Sequence, residues 1–72
     1  MDQRLAAKFG KTLRKHREST GLSQEALAFA CDLDRTYISL LERGLRQPSL
    51  TTIFVLADEL AITPEQFVAE IR

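Results

Sequence analysis

The sequence predicts an all-α fold, a compact bundle of five short helices with a helix-turn-helix inside it. Three observations carry that expectation. Apolar residues recur at three- and four-residue spacing and nowhere alternate as in a strand. Ser23, Asp34, Ser49 and Thr63 stand where helix N-caps belong, each before a helical run. Three of these caps are bracketed by an apolar pair, Leu22 with Leu27, Leu33 with Ile38 and Ile62 with Phe67, the spacing of a hydrophobic staple.

The first helix is expected over residues 2–18. Leu5, Phe9 and Leu13 step by four, Ala6 and Thr12 lie beside them, and Arg17 continues the row. Gly10 falls mid-helix, where glycine costs about 1 kcal/mol relative to alanine; close approach of another helix would explain it. Gly21 suits the left-handed residue that ends a helix. The second helix, Gln24 to about Ala30, has small inner residues (Ala26, Ala30) beside Leu27. Cys31, Asp32 and Leu33 leave room only for a tight turn. The third helix, Arg35 to Arg43, places Ile38, Leu41 and Glu42 on the side of Asp34, at about 100° per residue. Thr36, Ser39, Leu40 and Arg43 share the opposite side, with Arg35 at the leading end. Residues 44–47 form a loop ending at Pro48. Ser49 then opens a fourth helix whose expected core stripe is Leu50, Ile53, Phe54, Ala57 and Leu60. Thr63-Pro64-Glu65-Gln66 opens the fifth, with a Thr cap, Pro at the first helical position and Gln completing a capping box. It ends near Ile71.

Composition bounds the function. Seventy-two residues, 44% hydrophobic and 28% charged, suit one globular domain spanning 1–72 with a thin core. No apolar run approaches the ~18 residues of a membrane span, and no signal peptide is evident. The single cysteine fits a reducing cytoplasm. Cys31 and His16 are too few for a metal site, and no carboxylate pair, phosphate loop or nucleophile elbow is present. Neither catalysis, cofactor nor small-molecule ligand is expected. Cys31 reads as a packed thiol and His16 as an exposed imidazole. Formal net charge is zero, but nine of the ten Lys/Arg residues fall within 1–47 against six acids. Residues 48–72 hold Arg72 against four acids. Such polarity lets one end face phosphates while the other stays clear.

Leu22-Ser23-Gln24-Glu25, Leu33 through Ser39 and Leu41-Glu42-Arg43-Gly44, with Phe9-Gly10, Leu13-Arg14 and Pro48-Ser49-Leu50, resemble phage-repressor-type (XRE-type, lambda-repressor-like) helix-turn-helix regulators. The small controller proteins of restriction–modification systems are the most similar subfamily, through Leu33–Ser39. The resemblance covers nearly the whole chain and places the helix-turn-helix at about 23–43. It implies a sequence-specific transcriptional regulator binding double-stranded DNA, with the third helix in the major groove. Arg35, Thr36, Ser39 and Leu40 are the expected base readers. Arg35 suits guanine N7 and O6, Thr36 a base edge or thymine methyl, and Leu40 an apolar contact. Gln24 matches a position where similar proteins bind phosphate. Tyr37, Arg43, Arg46 and Gln47 flank the third helix as further backbone contacts. Arg17 and Glu42 both face inward, and family members pair them, so a structural salt bridge is expected there. One departure is Ala26, which stands where an acidic residue often completes the second helix's capping box.

One module of this size contacts about one half-site, so a homodimer on a near-palindromic operator is expected. Val55, Leu56, Val68 and Ile71, on the helices spanning about 49–71, are the expected dimer contacts, because they fall outside the anticipated core. The rival reading is a protein-binding adaptor or antitoxin-like module using those same two helices. Whether regulation is positive or negative is not written in these residues.

Overall fold

The computed structural model describes residues 2–72; Met1, the first residue of the expected unit, lies outside them. Five helices follow in order: α1 (Gln3–Thr20), α2 (Gln24–Ala30), α3 (Arg35–Glu42), α4 (Leu50–Glu59) and α5 (Pro64–Ile71). No strand occurs among the described residues.

Local chemistry sets the boundaries. Ser23, Asp34, Ser49 and Thr63 each accept a hydrogen bond from a backbone N–H of the first turn that follows, those of Ala26, Thr36, Thr52 and Gln66, at 2.7–3.1 Å. Asp2 is a fifth cap, accepting from the N–H groups of Arg4 and Leu5. α1 runs on to Thr20. Gly21, at φ 79°, then donates its N–H to Glu18 O, and Leu22 donates to Arg17 O. The α2–α3 corner closes through Asp32, also left-handed at φ 55°, and a Leu33 N–H to Ala28 O bond of 2.8 Å.

The core centres on Phe9, Leu13, Leu27, Ile38, Leu41, Leu56 and Phe67, all fully buried. The rings of Phe9 and Phe67 pack 5.1 Å apart and tie α1 to α5. α1 also crosses α3, and Gly10 is the contact point. A Cβ there would lie 2.5 Å from Leu41 O and 2.6 Å from Glu42 O. Gly44 repeats the device: its φ is 72°, and a Cβ would come within 2.9 Å of Ala7 Cα.

α4 is turned from its expected orientation. Thr52, Leu56, Ala57 and Leu60 are buried, Ile53 and Val55 are half-buried, and Leu50 and Phe54 are exposed. The buried face is rotated by about 60° from the stripe Leu50–Ile53–Phe54–Ala57–Leu60. Leu56 is therefore a core residue with no exposed surface, not an interface residue. Apolar residues nearly encircle this helix, so spacing alone did not fix its rotation. Tertiary packing does: Leu56 fills the core, and the Thr52 hydroxyl turns inward, 3.3 Å from that of Tyr37 on α3 and 2.9 Å from that of its own cap Ser49. Elsewhere Leu5 is exposed at the N-terminal end of its row, and Ala28 rather than Ala30 is buried on α2.

Candidate nucleic-acid interface

The turn at residues 31–34 sets α3 across α2, and α1 holds α3 from behind. Arg35 and Thr36 stand at the exposed leading end of α3, immediately after its Asp34 cap. Neither side chain hydrogen-bonds to another described residue, so both keep their donors and acceptors for solvent or a ligand. Ser39 and Leu40 lie further along and are half-buried. Arg43 is exposed and folds back so that Nε donates to Ser39 O at 3.4 Å. Arg46 and Gln47 are exposed in the loop that follows. Tyr37 is half-buried, with its hydroxyl against Thr52 of α4. Arg35, Thr36, Arg43 and Arg46 are thus all exposed, on α3 and the segment that follows it, while Tyr37 lies against α4.

Beneath this surface three helices converge on the carboxylate of Glu42. Arg17 of α1 donates from Nε to Oε2 at 2.6 Å and from Nη2 to Oε1 at 3.0 Å, a bidentate pair. Its Nη1 donates to Leu22 O at 2.9 Å. Gln24 of α2 donates from Nε2 to the same Oε1 at 3.0 Å. The Glu42 side chain is 3% exposed and that of Arg17 11%. The hydrogen bond to Glu42 raises the Arg17 pKa above its ordinary value, against the opposing effect of burial. Among the described residues no buried side-chain nitrogen or oxygen lacks a partner. A charge pair this enclosed is tolerable because each guanidinium nitrogen and both carboxylate oxygens have a hydrogen-bond partner.

The dimer residues expected from sequence separate. Val68 is exposed, whereas Val55 and Ile71 are half-buried against the core. Leu50 and Phe54, expected inside, are exposed and with Val68, Ile53, Pro64 and Ala69 line a shallow, largely apolar groove that Glu65 and Arg72 also border. Sequence reading missed them because it set α4 in the wrong rotation.

His16 is half-buried rather than exposed. Its Nε2 lies 3.1 Å from both carboxylate oxygens of Glu70, and its ring meets Phe67 edge-on. Lys15 donates to Glu70 Oε1 at 2.6 Å. That bond holds the Glu70 carboxyl below the usual carboxylate range; desolvation opposes it and His16 adds to it. No sequence signal pointed to this contact, because His16 and Glu70 lie 54 residues apart. Cys31 is buried, and burial, with Glu59 and Asp58 nearby, pushes its thiol pKa up, away from nucleophilic use. Among the described residues no His/Cys/Asp/Glu group fits a metal ion, and no helix is long and apolar enough to cross a membrane.

Comparison with known proteins agrees with this arrangement. A helix-turn-helix family model matches residues 13–67. Control protein C.BamHI of Bacillus amyloliquefaciens is 48% identical over 58 residues, covering 79% of this chain and 72% of that protein. Control protein C.MunI of a Mycoplasma species is 43% identical over 66 residues, covering 90% and 89%. The crystal structure of the restriction-modification controller protein C.AhdI from Aeromonas hydrophila superposes with a TM-score of 0.83 at 48% identity, covering 86% of this chain and 94% of that one. Five helices, a capped α2–α3 corner and these relatives give one answer: the chain belongs to the XRE-like helix-turn-helix family of DNA-binding transcription regulators, with restriction–modification controller proteins among its relatives.

Proposed function

We propose that this protein is a sequence-specific transcriptional regulator that binds a near-palindromic operator as a homodimer, in the cytoplasm. The observation that carries the reading is the placement of Arg35 and Thr36. They are exposed, have no protein partner, and sit at the leading end of a helix locked from behind by the Gly10 crossing and the Arg17–Glu42 pair. A groove reader needs that combination, because hydrogen-bonding side chains discriminate bases only when the scaffold fixes their position.

Arg35 and Thr36 are the principal base readers, with Ser39 and Leu40 contacting the groove from further along α3. Arg43, Arg46 and Gln47 grip phosphates at one end of that helix, and Gln24 grips them at the other. Tyr37 contacts the backbone from its position against α4. Contacts of this kind fix register, while the groove-facing residues carry the sequence preference.

Dimerisation fits the exposed apolar edge formed by Leu50, Phe54 and Val68, with Val55 and Ile71 at its margins. Two-fold pairing on one surface is self-complementary and doubles the contacts made to DNA. Titrating a labelled duplex at rising salt tests the DNA reading: affinity falls steeply, because each neutralised phosphate releases counterions. Sedimentation tests the dimer. A purely 8 kDa species at micromolar concentration, or binding indifferent to salt, contradicts the respective half of this reading.

A further inference from the structure

We propose that Glu42, besides closing the ion pair with Arg17, is a positioning residue for a phosphate contact and acts through the side chain of Gln24. The proposal rests on the DNA-binding reading above and adds to it a link between the packed interior and the DNA surface.

Oε1 of Glu42 is a shared acceptor, taking Nη2 of Arg17 and Nε2 of Gln24 at 3.0 Å each. A carboxylate facing a guanidinium only accepts, so it can hold the amide nitrogen of a glutamine but repels the amide oxygen. The orientation of the Gln24 amide is therefore set from below. One of its two N–H groups is committed to Glu42, and the other remains a donor. Glu42 itself is a well-held point: its side chain is 3% exposed and is gripped by a guanidinium anchored in turn to Leu22 O. Gln24, half-buried above it, spans the distance between that fixed point and the surface. An untethered glutamine has several rotatable bonds to freeze when it meets a phosphate. Here one end is already frozen, so binding requires less ordering.

The test is a double-mutant cycle read by duplex affinity. A fluorescein-labelled 20-base-pair random-sequence duplex serves as probe, because phosphate contacts do not depend on sequence. Affinities are measured for the wild type, Gln24→Ala, Glu42→Gln and the double variant, at a temperature where circular dichroism reports every one folded. Glu42→Gln is expected to weaken binding by about three- to tenfold, the range for immobilising one flexible side chain at an interface. In the Gln24→Ala background the same change is expected to have less than a twofold effect. An equal loss in both backgrounds overturns the proposal, because Glu42 then acts through the fold alone. Gln24→Asn provides a second arm that leaves the ion pair untouched. It keeps the amide but draws it back by one methylene, and affinity is expected to fall as far as with Gln24→Ala. Wild-type affinity in Gln24→Asn overturns the proposal. A wild-type protein with no salt-sensitive duplex binding at all removes the DNA reading itself, an outcome distinct from either.

Discussion

Glu42 shows how much one side chain can carry. Removing it leaves the Arg17 guanidinium enclosed with a single backbone acceptor, Leu22 O. Orphaning a buried charge costs about 3–5 kcal/mol. In a domain of this size each kcal/mol moves Tm by roughly 4–8 °C. Glu42→Ala is accordingly expected to lower Tm by about 12 °C or more in thermal denaturation, and an unchanged Tm would show that the pair contributes nothing. Glu70 makes a different prediction. Its carboxyl is held below the ordinary range by Lys15, so the stability it contributes is present above its unfolded pKa and disappears as pH falls through the folded one. The Tm difference between wild type and Glu70→Gln is expected to be largest near neutrality and to close in acid, below the usual carboxylate range. A difference that persists unchanged into acid contradicts that assignment. The Arg17–Glu42 pairing could be anticipated because two charges stood in inward rows. The Glu70 contact could not, because nothing in the local pattern of α5 specifies which residue of α1 it meets.

Among the helices, caps and staples made the boundaries legible. Polar caps compete for the same backbone donors in any context, so the starts of α2, α3, α4 and α5 were set by adjacent residues. Rotation about a helix axis is another matter. In α3, Ile38 and Leu41 share one side while Thr36, Ser39 and Arg43 share the other, so the inward positions of Ile38 and Leu41 follow even though Glu42 joins the first side and Leu40 the second. In α4, apolar residues occur on nearly every side, and tertiary packing selects the face, with Leu56 buried in the core and the Thr52 hydroxyl turned toward Tyr37. Leu56 and Phe54 consequently exchange roles. Leu56→Ala is expected to cost about 2–5 kcal/mol as a core cavity. Phe54→Ala is expected to leave monomer stability nearly unchanged but weaken self-association by about 2 kcal/mol, roughly thirtyfold, in sedimentation. The reverse pattern contradicts the rotation. Gly10 gives the test of the α1–α3 crossing. On helix propensity alone, Gly10→Ala stabilises by about 1 kcal/mol. A Cβ 2.5 Å from Leu41 O forces the helices apart, so the variant is expected to melt lower than the parent. A higher Tm would mean that the crossing is not tight.

Across the whole molecule, the charge polarity along the sequence takes on spatial meaning. Arg35, Arg43 and Arg46 lie exposed along α3 and its following loop, whereas Asp58, Glu59 and Glu65 belong to the two C-terminal helices that also carry Leu50, Phe54 and Val68. A zero net charge is therefore compatible with a phosphate-binding end and an apolar pairing end on one small body. The interior links the two: Tyr37 of α3 reaches Thr52 of α4 through their hydroxyls, while α1 spans from Glu42 to Glu70. The proposed reading of bases through α3 depends on that frame holding Arg35 and Thr36 outward. Selection of bound duplexes from a random pool, run in parallel for the wild type and Arg35→Ala, tests this most directly. The wild type is expected to enrich a near-palindromic site with a fixed guanine in each half, and Arg35→Ala to lose that guanine preference while keeping the rest. Identical enriched sites for both proteins, or no enrichment by the wild type, would contradict it.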